Sequence, residues 1–319
     1  MEGFPNHHLH PSHFYHLRTP LLFSTLKPMS QAETILFKRT TIVGPGLLGA
    51  SIGMGLRERN ISGEIWACLR DEKKADACRK SNWCDRALID LREAVEWSDL
   101  ILLCTPVESI VDQMDCVSQW AGDNCLVTDV GSLKKEICEK AEQVFKGKSS
   151  YFIGSHPMAG SEKTGMEFAS ADLLNDKHCV CTPDKNAKEE ELNKIAELWK
   201  RLGMEVTRMG ADEHDEIMSW ISHLPHLAAS ALINAIRTKD PDMIRFCGNG
   251  LRDTTRVASG NPQMWMQILM GNQENLQLGI EGLIKRLREF QEVLKNGDRV
   301  ELLKFLQSAK DSRDQIDDK

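Results

Sequence analysis

The sequence lacks three features that would place it in common classes of protein. It has no dense block of Lys or Arg, and 40 basic against 47 acidic residues give a formal net charge of −7, which offers a nucleic-acid backbone little to bind. The uncharged stretch at residues 40–56 contains five glycines and is too short to cross a bilayer. Its start has no compact apolar segment of the kind that a secretory leader carries. We therefore expect a cytoplasmic protein that binds neither nucleic acid nor a membrane.

The cysteines are not spaced as in a disulfide-rich or metal-binding protein. Ten are scattered along the chain, and no Cys-x-x-Cys pair occurs, whereas disulfide scaffolds and many metal sites show regular spacing. Cys179 and Cys181 lie two residues apart in an apolar run, which would place them on one face of a strand. We expect reduced, mostly buried thiols and no metal site.

The first residues differ from the rest of the chain. Residues 1–28 hold five histidines by position 16 and a single acid, Glu2. We interpret residues 1–28 as a disordered tail, or as the product of an upstream start codon with Met29 as the first physiological residue. Residues 1–38 are assigned to a disordered or extended tail that precedes the folded domains.

From residue 39 onward, short apolar runs alternate with helical stretches, the pattern of βαβ units. After residue 211 apolar residues recur at three- and four-residue spacing without strand signals. We predict a doubly wound Rossmann-type parallel sheet over residues 39–210, followed by an all-helical domain over residues 211–319. The predicted strands are 40–44, 64–69, 100–104, 125–130, 151–154, 179–182 and 205–209, with helices that include 47–59, 71–80 and 133–145.

A glycine loop follows the first predicted strand directly and opens the first predicted helix. Residues 44–49 read Gly-Pro-Gly-Leu-Leu-Gly, and glycines in this context permit a tight turn and close approach of a pyrophosphate to the helix N-terminus. At the end of the second strand, Leu69 stands where NAD enzymes usually carry an acid, and Arg70 follows. Because Arg can bind a 2′-phosphate, the pattern leans toward NADP. The alternative is that Arg70 is a solvated strand-end residue and Asp71 caps the next helix.

Three further segments are expected at the carboxyl ends of strands, where open α/β sheets bind their ligands. Thr105 and Pro106 end one predicted strand. Ser132 follows another, as a hydrogen-bonding partner near nicotinamide and substrate, as the N-cap of the following helix, or as both. His156 lies beyond a third predicted strand end and suits a base near neutral pH.

The helical domain holds a fourth group of candidates. Pro225 interrupts a helical pattern, and such a bend is costly unless it has a use. His226 and Arg256 are candidate donors to a carboxylated substrate, since Arg binds carboxylates through two hydrogen bonds; the alternative is ordinary capping and ion pairing. We expect the larger aromatic residues to pack between helices: Trp199, Trp220 and Trp265.

Five motifs occur in the order found in the prephenate and arogenate dehydrogenase family, which the chain resembles over residues 39 to 300. They are Gly44-x-Gly46-x-x-Gly49, Asp129-Val130-Gly131-Ser132-Leu133-Lys134, His156-Pro157-Met158-Ala159-Gly160, Ser222-His223-Leu224-Pro225-His226 and Arg252-Asp253-Thr254-Thr255-Arg256. Their co-occurrence is far more specific than the glycine loop alone.

The resemblance implies a nucleotide-binding domain joined to a helical domain that binds substrate and forms a homodimer. It implies that prephenate is oxidised and decarboxylated to 4-hydroxyphenylpyruvate, with hydride transfer to NAD(P), in tyrosine biosynthesis. Arogenate, with an amine in place of the side-chain keto group, is the alternative substrate, and His226 favours the keto acid. Two departures bear on these expectations: Leu69 replaces the usual acid, and residues 248–251 replace a more glycine-rich segment that contains Phe.

By the same resemblance, each site residue receives a role. His156 accepts a hydrogen bond or the proton of the ring hydroxyl, assisted by Ser132. The substrate-binding residues are Arg256 for a carboxylate, Glu162 and Asp253 as charged neighbours that orient it, His226 at the polar end and Trp265 beside the pocket. The dinucleotide-binding residues are Gly44, Gly46, Leu47, Leu48, Gly49, Arg70, Thr105 and Pro106.

Two other functions compete with this one. A β-hydroxyacid dehydrogenase also joins a dinucleotide fold to a helical domain, but such enzymes usually rely on a lysine in the helical domain. A dinucleotide-sensing binding protein needs no acid–base group, so replacing His156 would leave its function intact.

Overall fold

The computed structural model describes residues 35–159, 165–185 and 187–317. Residues 1–34 lie outside this set, and with them the interpretation of the histidine-rich start and nearly all of the predicted tail.

Eight strands form one sheet in the order β3-β2-β1-β4-β5-β6-β7-β8. They are β1 (Phe37–Val43), β2 (Ser62–Cys68), β3 (Arg86–Leu88), β4 (Leu100–Leu103), β5 (Leu126–Asp129), β6 (Tyr151–Pro157), β7 (His178–Thr182) and β8 (Glu205–Arg208). The strand order reverses between β1 and β4, whose carboxyl ends pair at Val43 and Leu103. Ligands of doubly wound folds bind in the crevice beside such a reversal. The predicted Rossmann-type fold is confirmed.

Helices cover both faces of this sheet. They are α1 (Leu47–Glu58), α2 (Glu72–Arg79), α3 (Leu91–Val95), α4 (Val107–Trp120), α5 (Lys135–Phe145) and α6 (Glu189–Arg201), with a 3-10 turn at Met166–Phe168. Successive residues of a strand point to opposite faces, and β4 shows this directly. Leu100 and Leu102 join the buried cluster that contains Trp199, whereas Ile101 and Leu103 join the cluster on the other face.

One strand pairing differs from the parallel sheet that the sequence predicts. β7 runs antiparallel to β6, from Gly154 opposite Thr182 to Pro157 opposite Cys179. This pairing extends β6 three residues beyond the predicted run 151–154, because each added residue has a partner on β7. The three-residue strand β3 was not predicted, since it is too short for its apolar alternation to be recognised.

The chain beyond residue 210 is helical. Its elements are α7 (Ala211–Met218), a π-helical turn (Ser219–His223), α8 (Leu224–Lys239), a 3-10 segment (Pro241–Phe246), α9 (Asn249–Thr255), a second 3-10 segment (Arg256–Ser259), α10 (Pro262–Gly271), α11 (Gln273–Asn296) and α12 (Arg299–Asp317). Among these and the other described helices, none combines the length and the apolar character that a membrane crossing requires.

The bend predicted at Pro225 is a π-helical turn that joins α7 to α8. Proline has no N–H, and its ring displaces the carbonyl group four residues earlier, so the hydrogen-bond pattern widens just before it.

The three tryptophans differ in burial: Trp199 is fully buried, Trp265 is partly buried, and Trp220 is 47% exposed. Trp220 is therefore not a core residue, although its ring packs against Gly282 of α11.

All ten cysteines are free thiols, and six of them are buried. Cys179 and Cys181 both lie inside β7 with fully buried side chains, as expected from their two-residue spacing.

Candidate active site

The glycine loop joins β1 to α1 with three glycines in distinct environments. Gly44 has φ = +74°, and a Cβ there would lie 2.3 Å from Cγ2 of Thr105. A Cβ at Gly49 would lie 3.0 Å from that of Cys104, whereas one at Gly46 would meet no heavy atom within 4 Å. Gly46 is also the N-cap residue of α1 and provides no side-chain cap. The helix N-terminus therefore faces open space, which suits an anion such as a diphosphate.

Four more residues predicted to bind the dinucleotide flank this loop. Leu47 and Leu48 form the first turn of α1 and are partly buried. Thr105 follows β4, and its hydroxyl donates to Oε1 of Gln113 at 3.1 Å. Pro106 is the N-cap residue of α4. Both segments lie at the carboxyl ends of the two central strands.

The end of β2 offers a cation and no free acid. Leu69 is buried, while Arg70 is exposed and its Nη2 donates to Oγ of Ser109 at 3.3 Å. Asp71 caps α2, since its Oδ1 accepts the main-chain N–H of Lys74 at 2.9 Å. The carboxylate next to Arg70 is thus already engaged in the protein.

Ser132 lies in the loop between β5 and α5 and is partly buried. The prediction that it is the helix N-cap is wrong, because α5 begins at Lys135 and Lys134 precedes it. The cap comes from another element. Asp215 of α7 accepts the main-chain N–H groups of Lys134 and Lys135 at 2.8 and 3.0 Å. Ser132 is therefore free of the capping role.

A fully buried ion pair supports this loop. The ammonium of Lys134 contacts the carboxylate of Asp129, and both side chains have no exposed surface. Asp129 also accepts the N–H groups of Gly131 and Ser155, at 2.8 and 3.0 Å. Since removing one member of such a pair leaves an uncompensated buried charge, this pair fixes the adjoining ends of β5 and β6.

His156 lies within β6, opposite Val180, rather than beyond a strand end as the sequence predicts. Its Nδ1 is 2.8 Å from Nε2 of His214. Burial lowers the pKa of His156 well below 6.5, and positive charge on the neighbouring Lys134, or on His214 were it protonated, acts in the same direction. His156 is therefore neutral near pH 7, as a base must be.

Sequence reasoning missed the partner of His156. His214 is fully buried in α7, and its Nδ1 is 2.7 Å from Oδ1 of Asp215. Burial raises the pKa of Asp215, but hydrogen bonds from His214 and from the two main-chain N–H groups outweigh it, so the pKa lies below its usual value. The available signal was an adjacent His-Asp pair in the first helix after the predicted domain boundary.

A second polar chain continues from Asp215. Nδ2 of Asn272 donates to the main-chain oxygen of Asp215 at 2.6 Å and to Nδ1 of His223 at 3.1 Å. Oδ1 of Asn272 accepts from Asn275 at 2.9 Å, which fixes the orientation of the amide. His223 is buried, and burial lowers its pKa to about 4. A neutral His223 that accepts at Nδ1 carries its proton on Nε2.

The predicted residues of the helical domain meet around Trp265. His226 stacks on Trp265 with ring centroids 3.6 Å apart and an angle of 9°, and His223 packs edge-on at 6.3 Å. A Cβ at Gly260 would lie 2.3 Å from Nε1 of Trp265. His226 hydrogen-bonds the main chain of Val257, and its buried Nδ1 has no partner in the described part of the chain.

Arg256 adjoins Val257 and begins the 3-10 segment that His226 contacts. Arg256 and Asp253 are both exposed, and in the described residues no ion pair joins them. The prediction that Asp253 orients Arg256 therefore finds no direct contact here. Glu162 lies outside the described residues.

The structure thus connects motifs that lie far apart in the sequence. Contacts run from His156 through His214, Asp215, Asn272 and His223 to the stacked pair of Trp265 and His226. A second link joins α10 to α4, where Gln267 donates to Glu108 at 2.6 Å. This arrangement combines an anion-binding helix end and a neutral imidazole on the sheet with an aromatic wall and an exposed guanidinium on the helices.

Models of known families match most of the chain. The prephenate dehydrogenase nucleotide-binding domain matches residues 52–208, and the prephenate dehydrogenase dimerization domain matches residues 210–308. The chain belongs to the prephenate dehydrogenase family. Its nucleotide-binding domain is of the kind that takes a nicotinamide dinucleotide, and the family's members are oxidoreductases.

Individual relatives agree with this assignment. The prephenate dehydrogenase of Lactococcus lactis is 31% identical over 280 residues, which cover 86% of this chain and 77% of that protein. The crystal structure of prephenate dehydrogenase from A. aeolicus, in complex with hydroxyphenyl propionate and NAD+, has a TM-score of 0.82 and 28% identity and covers 91% of this chain and 100% of that one. The Synechocystis arogenate dehydrogenase structure has a TM-score of 0.77 and 30% identity, with 87% and 99% covered.

Proposed function

We propose that this chain is a prephenate dehydrogenase that converts prephenate to 4-hydroxyphenylpyruvate and carbon dioxide in tyrosine biosynthesis. The observation that carries the proposal is the continuous contact from His156 on the sheet to His226 and Trp265 on the helices. It connects a neutral base to a pocket wall that suits a ring with a polar end. Residues 39–210 would form the nucleotide-binding domain and residues 211–319 the helical substrate-binding domain.

In this proposal, His156 handles the proton of the ring hydroxyl. A bound nicotinamide supplies the acceptor for the hydride that leaves the carbinol carbon. Nε2 of His156 takes the hydroxyl proton as the carbinol carbon is oxidised. When the ring carboxylate departs as carbon dioxide, its bonding electrons complete the aromatic ring, and His156 can return the proton to the ring oxygen. The aromatic product supplies the driving force, so the main task of the protein is orientation.

The remaining site residues would orient the substrate. Ser132, in the loop between β5 and α5, would hydrogen-bond the ring hydroxyl, and it has no capping duty to compete with this. Arg256 would bind a carboxylate through its guanidinium, with Glu162 and Asp253 as charged neighbours. His226, stacked on Trp265, would lie near the polar side chain, while Trp265 would line the pocket.

The dinucleotide would lie across the glycine loop. Gly44 and Gly49 allow the close packing of loop and helix, and Gly46 leaves room for the diphosphate at the end of α1. The adenosine end favours NADP over NAD. Arg70 is exposed, and the neighbouring Asp71 already caps α2, so a 2′-phosphate finds a cation and the ribose finds no free carboxylate.

The helical domain would form a homodimer. Its last helices expose an unusual number of large apolar side chains, a feature typical of an interface: Met264, Met266, Met270, Leu278, Leu287, Leu294, Val300, Leu303 and Leu306. Sedimentation velocity should give a species of twice the 36.0 kDa chain mass; a monomer at micromolar concentration would contradict this.

Initial rates measured with prephenate and arogenate, each with NAD and NADP, test the proposal. We expect the fastest reduction of nicotinamide with prephenate and NADP. Arogenate is the second candidate, supported by the similarity to the Synechocystis enzyme. His156→Asn serves as the control and should lower kcat by about 10²–10⁴-fold with dinucleotide binding unchanged. Absence of turnover in all four combinations, with dinucleotide still bound, would favour a sensing role.

A further inference from the structure

We propose that His214 is a positioning residue that holds His156 in the tautomer whose Nε2 is unprotonated. The inference deepens the proposed function and rests on it, since it concerns how His156 becomes a base. His214 lies in none of the five sequence motifs. It comes from α7 in the helical part of the chain, whereas His156 comes from β6 of the sheet.

The assignment of protons begins at Asp215. Its pKa lies below the usual value, so the side chain is a carboxylate and can only accept hydrogen bonds. Three donors reach it: the main-chain N–H groups of Lys134 and Lys135, and Nδ1 of His214 at 2.7 Å. His214 must therefore carry a proton on Nδ1.

The contact between the two histidines then has two solutions. Nε2 of His214 and Nδ1 of His156 are 2.8 Å apart, a distance that accommodates one proton. If His214 is neutral, its Nε2 is a lone pair, His156 donates from Nδ1, and Nε2 of a neutral His156 is free to accept a proton. If His214 is instead a cation, it donates to Nδ1 of His156, whose own proton then occupies Nε2.

Only the first solution leaves Nε2 of a neutral His156 unprotonated, as the proposed role of a base requires. The charged and titratable groups near His156 are His214 on α7, Lys134 before α5, and His223 in the π turn. The positive charge of Lys134 is paired with the carboxylate of Asp129, and the carboxylate of Asp215 fixes the proton of His214 on Nδ1, which leaves Nε2 of His214 to face His156. When His156 accepts a proton, its imidazolium can donate to His214, whose other nitrogen donates to the carboxylate of Asp215. The same logic orients the base in serine hydrolases.

Nuclear magnetic resonance of the histidine side chains tests this arrangement without any turnover. Proton–nitrogen correlation spectra of uniformly 15N-labelled full-length protein report which ring nitrogen carries a proton, and His156→Asn and His214→Gln assign the signals. At pH 7.5 we expect both His156 and His214 to be protonated at Nδ1 and unprotonated at Nε2. A doubly protonated His214, or a His156 protonated at Nε2, would overturn the proposal. Because this readout needs no substrate, a wrong assignment of activity is distinguishable from a wrong assignment of the relay.

Kinetics give the second test. His214→Phe keeps the approximate volume but removes the acceptor, whereas Oε1 of the Gln side chain in His214→Gln can replace Nε2 as the acceptor. We expect kcat to fall about 10²-fold in the Phe variant and less than about 10-fold in the Gln variant, with the KM for the dinucleotide unchanged in both. His178→Gln, at an exposed position on β7, is the matched control and should behave as wild type.

The pH dependence of kcat separates positioning from mere support of the fold. Without its acceptor the imidazolium of His156 is less stable, so the acidic limb of the Phe variant should move to lower pH. A limb that moves to higher pH would mean that His214 is a cation in the wild-type protein and would overturn the proposal. Equal losses in the Phe and Gln variants would also overturn it, since the acceptor would then not matter. If the Phe variant does not fold, the kinetics of the Gln variant and the spectra of the wild-type protein still test the proposal.

Discussion

Replacing Gly46 with alanine should weaken dinucleotide binding while leaving the stability of the fold nearly unchanged. The residue has a negative φ of −91°, and its added Cβ would meet no heavy atom within 4 Å. The free energy of unfolding should therefore change by no more than about 1 kcal/mol. In the complex the same Cβ would occupy the space of the diphosphate. Loss of one charge-assisted hydrogen bond costs about 1.5–3 kcal/mol, which raises the Kd of the dinucleotide roughly 10–100-fold.

Gly44→Ala is the matched comparison, because there the methyl group meets the protein itself. A residue other than glycine at φ = +74° is strained by about 1–2 kcal/mol, and the added Cβ lies 2.3 Å from Thr105. We expect a loss of stability of a few kcal/mol, visible as a lower midpoint in urea. Isothermal titration with NADP and urea denaturation give both quantities for each variant. If Gly46→Ala bound NADP as tightly as the wild type, no diphosphate would approach this loop, and the proposed orientation of the cofactor would be wrong.

Three further predictions concern single side chains. Arg256→Ala should raise the KM for prephenate about 10–100-fold through loss of a charge-assisted contact, with Arg245→Ala as an exposed control; an unchanged KM would place the carboxylate elsewhere. Arg70→Ala should raise the Kd of NADP by a similar factor and leave that of NAD unchanged, and an equal loss for both would reduce Arg70 to a structural residue. His223 alone should lower the free energy of unfolding by about 2.6 kcal/mol as pH drops from 6.5 to 4, because burial lowers its pKa to about 4 and the unfolded chain takes up the proton first. Urea unfolding at several pH values should show a shallower slope in His223→Gln.

The sequence was sufficient to predict features that depend on local pattern. The glycine loop, the strand that precedes it and the helix that follows it come from one short segment. Residues that are neighbours in this segment are therefore also neighbours in the structure. The same holds for Cys179 and Cys181, which alternate along β7 and are both buried. The division into a sheet and a helical part likewise follows from a change of periodicity near residue 210.

Features that depend on contacts between distant segments could not be predicted from the sequence. β7 pairs antiparallel with the end of β6, so β6 continues beyond its own apolar run. As a result, His156 lies inside a strand. The cap of α5 comes from Asp215, eighty residues away in sequence from Lys135. The local sequence offers only Ser132 as a cap, so the prediction could not include this distant carboxylate. His214 stood outside every motif and has meaning only through its contact with His156.

One carboxylate connects the two parts of the chain and the chemistry proposed for them. Asp215 belongs to α7, yet it caps α5 beside the buried pair of Lys134 and Asp129, and it accepts from His214. The N-terminal end of a helix stabilises a negative charge, so packing α7 against α5 itself keeps Asp215 ionised. Any displacement of α7 from the sheet would remove the two main-chain donors from Asp215, raise the pKa of its carboxylate and separate His214 from His156. The basicity of Nε2 in His156 would therefore depend on correct packing between the two parts, and the imidazole would be competent only when the helices that line the pocket are in place.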